Sequence, residues 1–258
     1  MNSSALEKLT RNGKAFFLAY DQGMEHGPTD FNEKNVDPAA IIHIANEAGV
    51  FTGIVFQEGV AKKYYPIGGV DKPNFPPLIV KLNGKTSLHP GVDPYSPQLC
   101  TVAQALKIGA TGVGYTIYLG SEHEAKMMAE FSLIEDEAHA AGLGVILWMY
   151  PRGKSVEGKE TSKDVVAYGA RVALELGADI VKIPYTGDPE SFKWVVESAG
   201  KTLVVVQGGK KKATEGEVID EVKDFMLAGA AGMAVGRNVW QSEDPIGIAK
   251  KIAQEIYE

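Results

Sequence analysis

Cysteine and long apolar runs are both scarce in this sequence of 258 residues. The one cysteine, Cys100, cannot form an internal disulfide, and it lacks the closely spaced cysteine or histidine partners of a structural zinc site. No apolar run reaches the ~18 residues that a membrane span needs. Residues 1–10 also lack the apolar segment of a signal peptide. We therefore expect a cytoplasmic protein with no membrane partner.

Positive charge is in the minority as well. The sequence has 26 lysines and arginines against 33 aspartates and glutamates, which gives a net charge of -7. A protein that binds nucleic acid carries the opposite balance, because it must neutralise phosphates over a broad surface. We therefore expect no nucleic-acid partner, and we expect any anionic ligand to bind in a small site with local positive charge.

Short apolar runs alternate with helical stretches along the whole chain, which is typical of a parallel sheet with crossover helices. The eight runs cover residues 15–20, 53–56, 78–82, 112–118, 143–150, 180–184, 202–207 and 232–235. Eight such units in about 250 residues predict an α/β fold, a single (β/α)8 TIM barrel that forms one domain over residues 1–258. A doubly wound sheet would fit the same count. However, the runs are evenly spaced, and no Gly-x-Gly-x-x-Gly motif of a dinucleotide-binding fold follows the first run. Both observations favour the barrel over the doubly wound sheet.

Glycines mark the predicted junctions between helices and strands. Each of six glycines closes a helical stretch just before an apolar run, namely Gly49, Gly109, Gly142, Gly177, Gly200 and Gly229. Glycine adopts the left-handed conformation of a helix C-terminus without steric cost. The second unit lacks such a glycine and is expected to end at the proline-rich segment 71–77.

The last two predicted strands are followed by glycines and an arginine. Gly208 and Gly209 follow the seventh run, and Gly236 and Arg237 follow the eighth. Ligands of this fold bind at the carboxyl ends of the strands, where glycine amides approach phosphate oxygens and arginine binds them with two parallel hydrogen bonds. The alternative is that these glycines only allow tight turns. The lysines at 210–212 are expected to be a solvated group with a weak steering role.

Two lysines stand at the ends of predicted strands. Lys182 lies in an otherwise apolar run, where an ammonium is costly unless it is paired or neutral. It is therefore either ion-paired, for example with Asp21, or a neutral nucleophile that attacks a carbonyl to form a Schiff base. Lys81 is either a second cation or itself the nucleophile. Lys182 is slightly favoured because its strand neighbours the predicted phosphate loops.

Acid–base chemistry has two candidates at strand ends, Tyr150 and Asp21. The tyrosine could instead be an amphipathic plug, and the aspartate a helix N-cap. Trp148 lies on the same face as Tyr150 and is expected to pack rather than react. The five histidines are scattered and only His26 follows a strand run, so no metal cofactor is expected.

Several separated motifs resemble those of the archaeal-type class I fructose-bisphosphate aldolase family, and the likeness covers nearly the whole chain. They are LAYDQGMEHGP at 18–28, WMYPRG at 148–153, the strand that contains Lys182, the pair Gly208 and Gly209, and VGRN at 235–238. The chain departs from the family pattern at Gln22, where family members often have histidine. The resemblance implies reversible cleavage of fructose 1,6-bisphosphate to dihydroxyacetone phosphate and glyceraldehyde 3-phosphate, without a cofactor.

The resemblance also implies roles for individual residues. Lys182 would form the Schiff base, Tyr150 would donate the proton, and Asp21 would position substrate or relay protons. Phosphate would be bound by Gly208, Gly209, Gly236 and Arg237. Further substrate contacts are expected at Gln22, Gly23, Met24, Glu25, His26, Lys81, Trp148 and Arg152. The partners implied are sugar phosphates and further copies of the chain, in a homo-oligomer that in the family is often a decamer.

Other functions remain open at this point. The first is the related 2-amino-3,7-dideoxy-D-threo-hept-6-ulosonate synthase, ranked second because residues 25–28 look more like the bisphosphate enzyme. A non-catalytic sugar-phosphate-binding barrel would keep the phosphate loops without needing Lys182 or Tyr150. A phosphate-binding isomerase would need a carboxylate base, for which Asp21 is the strongest candidate. Whether the loop at 83–97 acts as a lid is left undecided by the sequence.

Overall fold

A computed structural model describes residues 3–66 and 75–258. Within these residues eight parallel strands follow one another around a closed barrel in chain order, and the last strand pairs with the first. The strands are Ala15–Tyr20 (β1), Gly53–Gln57 (β2), Leu78–Lys81 (β3), Gly112–Leu119 (β4), Gly144–Pro151 (β5), Ile180–Ile183 (β6), Leu203–Gln207 (β7) and Gly232–Val235 (β8). The predicted (β/α)8 barrel is confirmed.

Helices surround the barrel and connect its strands. They are Ser3–Lys8 (α1), Gly23–His26 (α2), Pro38–Ala48 (α3), Glu58–Tyr64 (α4), Val102–Lys107 (α5), Glu124–Ala140 (α6), Lys163–Glu175 (α7), Pro189–Ser198 (α8), Glu215–Leu227 (α9), Arg237–Trp240 (α10) and Pro245–Tyr257 (α11). Leu9, just after α1, is fully buried, and its side chain packs against Gly112 and Gly144 where β4 and β5 begin. The chain start therefore closes the end of the barrel opposite the carboxyl ends of the strands.

The predicted strand bounds differ from the observed ones by one residue at several ends, for local reasons. Leu143 is outside β5 because its N–H donates to the carbonyl of Ala138 at the end of α6. Leu82 is outside β3 because its carbonyl accepts from the backbone of Leu99 and Cys100. In the predicted segment 71–77, residues 71–74 lie outside the described residues.

The six glycines predicted at helix ends all have positive φ, from 59° at Gly200 to 96° at Gly229. They follow α3, α5, α6, α7, α8 and α9, where the chain turns back toward the sheet. This prediction is confirmed. At these glycines the chain leaves each helix and turns toward the next strand of the barrel.

A different glycine is needed where the barrel closes. Gly232 begins β8 with φ of 144°, and a Cβ atom there would lie 1.9 Å from the carbonyl oxygen of Ala15 on β1. The two strands therefore approach so closely that only glycine fits between them.

We expect Gly232→Ala to lower the free energy of unfolding by at least ~2 kcal/mol, because alanine would be strained at this φ and would collide with β1. Urea denaturation followed by circular dichroism measures this change. The matched control is Gly216→Ala at an exposed position of helix α9, where the nearest atom to the new Cβ would be 3.8 Å away. Its effect should stay within ~0.5 kcal/mol. Equal stability of the two variants would contradict the expectation.

Candidate active site

The carboxyl ends of the strands surround a cavity of about 450 Å³. The predicted site residues that line it are Asp21, Gln22, Met24, Glu25, His26, Lys81, Trp148, Tyr150, Arg152, Lys182, Gly208, Gly209, Gly236 and Arg237. Gly23 does not line it, and the contact expected there is not found. Its Cα faces Phe31, since a Cβ atom would lie 3.2 Å from that ring. Gly23 therefore allows close packing behind the cavity.

Lys182 reaches the cavity from the short buried strand β6. Its register partners are Trp148 on β5 and Val205 on β7, and only 6% of the residue is exposed. Burial lowers the pKa of Lys182 below its ordinary value; the charge of Asp21 opposes this shift, while Arg152 adds to it. The strand thus holds an amine that loses its proton more readily than a lysine in water does.

Lys81 is equally buried but has an anionic partner. Its Nζ lies 4.0 Å from Oδ2 of Asp21 and 3.5 Å from the carbonyl oxygen of Asn83. Burial lowers the pKa of Lys81 too, against the opposing charges of Asp21 and Glu25. No carboxylate of the described residues lies within 4.0 Å of Lys182 Nζ. The possible Lys182–Asp21 ion pair is therefore wrong, because Lys81 takes that place.

The indole of Trp148 lies beside both lysines. Its ring centroid is 5.5 Å from Lys81 Nζ and 5.2 Å from Lys182 Nζ. Gly114 on β4 makes room for the ring, since a Cβ there would lie 2.1 Å from it. Attraction of both ammonium groups to the ring opposes the effect of burial on their pKa values. Trp148 thus packs as predicted, between the two amines.

Tyr150 points into the same cavity two residues further along β5. Its ring centroid lies 5.9 Å from Lys182 Nζ, and the guanidinium of Arg152 stacks on the ring at 4.4 Å. Burial raises the pKa of Tyr150 well above its ordinary value, and the charge of Arg152 works in the opposite direction. The hydroxyl is therefore protonated near neutral pH and can donate a proton or a hydrogen bond.

Asp21 is the carboxylate nearest to these groups. It follows β1 directly, and its side chain is 10% exposed. The alternative that it caps a helix is wrong, because Gln22 occupies the N-cap position of α2 and no side chain caps that helix. Asp21 is thus placed for charge interactions with Lys81 and Lys182.

The loops after β7 and β8 form a small site with unpaired backbone donors. Within the part of the chain that is described, no group accepts from the N–H of Gly209 or Gly236. The N–H of Gly208 is not free, since it donates to the carbonyl of Ala234 at 2.9 Å. The amide of Gly208 is therefore engaged within the protein, and the ligand contact expected at Gly208 stays a prediction. Gly208 instead lets its loop approach Val235, because a Cβ would lie 3.0 Å from the Cα there.

Arg237 has two polar partners beside these amides. Its Nη2 donates to the carbonyl of Gly209 at 2.9 Å, and its Nη1 lies 3.4 Å from Oδ2 of Asp30. The same carboxylate oxygen lies 2.6 Å from Nδ1 of His26. A fixed guanidinium next to two free amides is suited to binding a phosphate group.

A second group of charges lies at the opening of the cavity. Arg152 Nη1 is 3.1 Å from Glu25 Oε1, and Lys85 Nζ is 4.0 Å from the same oxygen. Because β5 lies across the barrel from β1, the Arg152–Glu25 pair spans the opening.

Of the lysines at 210–212, only Lys210 is among the residues that line the cavity. Lys211 donates to the backbone carbonyl of Gln241, and Lys212 donates to the carboxylate of Glu221.

Sequence reasoning missed several lining residues, among them Gln57, Lys85, Ser96, Thr116 and Gln207. Gln57 and Gln207 are the last residues of β2 and β7, so the rule about strand ends could have found them. No local sequence pattern indicated that Ser96 and Thr116 would line the cavity. They are joined by Asn83, whose amide donates to both of their carbonyls at 2.9 Å.

The loop at 83–97 is also held by hydrogen bonds near its C-terminal end. Asp93 accepts hydrogen bonds from the backbone of Glu122 and Lys154, and Ser121 donates to the carbonyl of Pro94. Its second half is therefore attached to the segments that follow β4 and β5.

Among residues 3–66 and 75–258, no three or more histidine, cysteine, aspartate or glutamate side chains are grouped so that they could hold a metal ion. No helix in these ranges is long and apolar enough to cross a membrane.

A (β/α)8 barrel with buried lysine amines beside an anion site, all at the carboxyl ends of its strands, defines the class of lysine-dependent barrel aldolases. Residues 15–242 match the family described as DeoC/LacD family aldolase. The chain belongs to this family.

Proteins similar to the chain include fructose-bisphosphate aldolases. This chain is 48% identical over 254 residues to the class 1 fructose-bisphosphate aldolase of Thermoproteus tenax. The alignment covers 98% of this chain and 93% of that relative. A solved archaeal fructose-1,6-bisphosphate aldolase, with its catalytic lysine bound to the carbinolamine intermediate, matches with a TM-score of 0.92 and 44% identity, over 100% of both chains. The aldolase from Slackia heliotrinireducens has a TM-score of 0.90 and 34% identity, covering 99% of this chain and 85% of the other. The family resemblance is confirmed.

Asp21→Asn should shift the reactivity of both buried lysines to lower pH. Removing the anion destabilises each ammonium, so the pKa of Lys81 and that of Lys182 fall further below their ordinary value. Trinitrophenylation as a function of pH, followed by peptide mapping, measures each amine separately. Asp188→Asn is the control, since Asp188 is an exposed helix cap on α8. Unchanged midpoints at both lysines would contradict this electrostatic account.

Proposed function

We propose that this protein is a class I, Schiff-base fructose-1,6-bisphosphate aldolase, which reversibly cleaves its substrate to dihydroxyacetone phosphate and glyceraldehyde 3-phosphate. One observation carries the proposal. A buried Lys182 amine without a carboxylate partner shares a cavity with the anion site of Gly209, Gly236 and Arg237. The family and the activities named for its relatives support it.

Lys182 is the nucleophile in this proposal. Its neutral amine attacks the C2 ketone to give a carbinolamine, which loses water to form an iminium ion. Lys81 is less suited to this step because Asp21 stabilises its ammonium at 4.0 Å. Lys81 acts instead as the second cation, and its charge favours the neutral form of a neighbouring amine.

The anion site holds the C1 phosphate. Gly209 and Gly236 donate their backbone N–H groups, Arg237 supplies the positive charge, and Gly208 gives the loop its close approach to β8. The binding energy of the phosphate, which does not react, then keeps the ketone next to Lys182.

Cleavage of the C3–C4 bond uses the iminium as the electron sink. The C4 hydroxyl loses its proton to the carboxylate of Asp21, glyceraldehyde 3-phosphate leaves, and an enamine remains on Lys182. Tyr150 then protonates C3, a role supported by the raised pKa that keeps its hydroxyl protonated. Hydrolysis releases dihydroxyacetone phosphate. The protonated imine supplies the electron withdrawal, so this sequence of steps needs no cofactor.

The second phosphate binds near the opening of the cavity. Arg152 and Lys85 are the cations there, and both are close to the carboxylate of Glu25. An incoming phosphate competes with Glu25 for these cations. The cytoplasmic location, the single domain over residues 1–258 and the homo-oligomer stay predictions.

We expect borohydride with dihydroxyacetone phosphate to label Lys182 covalently. Lys182→Met should abolish the label and lower kcat more than ~10³-fold, because the nucleophile is gone. Lys81→Met should keep the label on Lys182, detected by peptide mapping and mass spectrometry.

Full activity of Lys182→Met would contradict the mechanism, and so would labelling at Lys81 in the unchanged protein. A non-catalytic binding protein would behave differently from both. Its melting temperature would rise with sugar phosphates, while no aldehyde would be released.

Tyr150→Phe should separate Schiff-base formation from turnover. Labelling of Lys182 should persist, while kcat should fall ~10²-fold or more because the proton donor is lost. Single-turnover kinetics beside borohydride trapping measure both quantities. Tyr185→Phe is the control, since the Tyr185 hydroxyl is buried without a partner in the described structure and the residue is not among those that line the cavity. Parallel loss of labelling and turnover in Tyr150→Phe would contradict its role.

A further inference from the structure

Asn83 is fully buried, and its side chain makes three hydrogen bonds just beyond the end of β3. Its Oδ1 accepts from the N–H of Thr116 at 2.8 Å. Its Nδ2 donates to the carbonyls of Thr116 and Ser96, both at 2.9 Å. Both donor hydrogens of the amide are therefore used within the protein.

These bonds continue the contact between β3 and β4 past the last residue of β3. The register of the two strands ends with Lys81 opposite Gly114, and the N–H of Leu82 still donates to the Gly114 carbonyl at 2.8 Å. Two residues further along β4, the N–H and carbonyl of Thr116 bond to the Asn83 side chain instead of a backbone. A side-chain amide carries the same donor and acceptor as a peptide group. The side chain thus takes the place of a peptide group where the chain leaves the barrel.

The backbone carbonyl of Asn83 accepts from two side chains that line the cavity. Gln57 Nε2 donates to it at 3.0 Å, and Lys81 Nζ donates to it at 3.5 Å. This oxygen is nearer to the Lys81 amine than Oδ2 of Asp21, which lies 4.0 Å away. Because a carbonyl accepts hydrogen bonds and cannot donate them, it stabilises an ammonium more than a neutral amine.

Charges of both signs face Lys81 from four parts of the barrel. Burial lowers the pKa of Lys81; Asp21 after β1 and Glu25 on α2 oppose this shift, while Lys182 on β6 and Arg152 after β5 add to it. Two anions and two cations largely offset each other. A carbonyl dipole that is held in one direction can therefore influence how much of the Lys81 amine is charged.

We propose that Asn83 is a positioning residue: its side chain fixes the carbonyl that holds the Lys81 ammonium, and the charge of Lys81 in turn promotes Schiff-base formation at Lys182. This rests on the proposed function, in which Lys81 is the second cation. A charged Lys81 makes a second ammonium nearby costlier, so more of Lys182 is the neutral nucleophile. Asn83 is not among the residues that line the cavity, so it acts through Lys81.

Asn83→Ala tests this by removing the three bonds that fix the carbonyl. Trinitrophenylation as a function of pH, followed by peptide mapping, gives a midpoint for each lysine. The midpoint of Lys81 should fall by about one pH unit, the effect of one hydrogen bond to a charged group. The midpoint of Lys182 should rise by about half a unit, because less positive charge faces it. Looser packing alone would hydrate both amines and raise both midpoints.

Thr52→Val is the matched control, since it also removes a buried polar contact. Thr52 Oγ1 accepts from the N–H of Phe16 near the start of β1, at the other end of the barrel. This variant should lower the melting temperature and leave both lysine midpoints unchanged. Asn83→Ser is the milder second variant, because its hydroxyl can replace one of the lost donors. It should move the two midpoints in opposite directions by smaller amounts, and it decides the outcome if Asn83→Ala does not fold.

The rate of borohydride trapping with dihydroxyacetone phosphate gives a second readout. It should fall about threefold at pH 7 in Asn83→Ala, in proportion to the neutral fraction of Lys182, and recover at higher pH. Midpoints that move together, or a rate that higher pH does not restore, would overturn the inference. If the unchanged protein is not labelled at Lys182, the proposed function fails. The midpoints then still decide whether Asn83 controls the charge of Lys81.

Discussion

The burial of the Lys182 amine is the constraint on which the site depends. An ammonium in this position loses its hydration, and no carboxylate of the described structure lies within 4.0 Å to compensate. Asp21 lies near Lys81 instead, so two equally buried lysines differ in their distance from an anion. In the proposed mechanism this difference makes Lys182 the better nucleophile.

The backbone, more than side-chain contacts, creates this arrangement. Parallel strands in register bring their carboxyl ends to one rim, and glycines allow the close approaches that the rim needs. Gly114 leaves space for Trp148 between the lysines, and Gly236 lets the anion loop touch β1. A methyl group at either position would displace a neighbour. The geometry of the site therefore depends on these two glycines as much as on its functional side chains.

The sequence predicted whatever depends on local pattern. Strand runs and the six helix-ending glycines were found because they follow from periodicity and from φ preference. The roles of Gly23 and of the Gly208 amide depend on distant neighbours, Phe31 and Ala234, which no local pattern reveals. Thr116 was missed for the same reason, since Asn83 brings it to the cavity through a tertiary hydrogen bond.

The two ends of the cavity differ in how far their arginines are buried. Arg237 is fixed by the Gly209 carbonyl and by Asp30, and its side chain is 21% exposed. Arg152 at the opening is 42% exposed and paired with Glu25 across the barrel. Exposed ion pairs contribute little stability and exchange partners easily. Backbone amides in loops that the barrel holds in place do not exchange partners in this way. In the proposed mechanism, a substrate whose phosphate is held at the Arg237 end remains on Lys182 while the other fragment leaves through the opening.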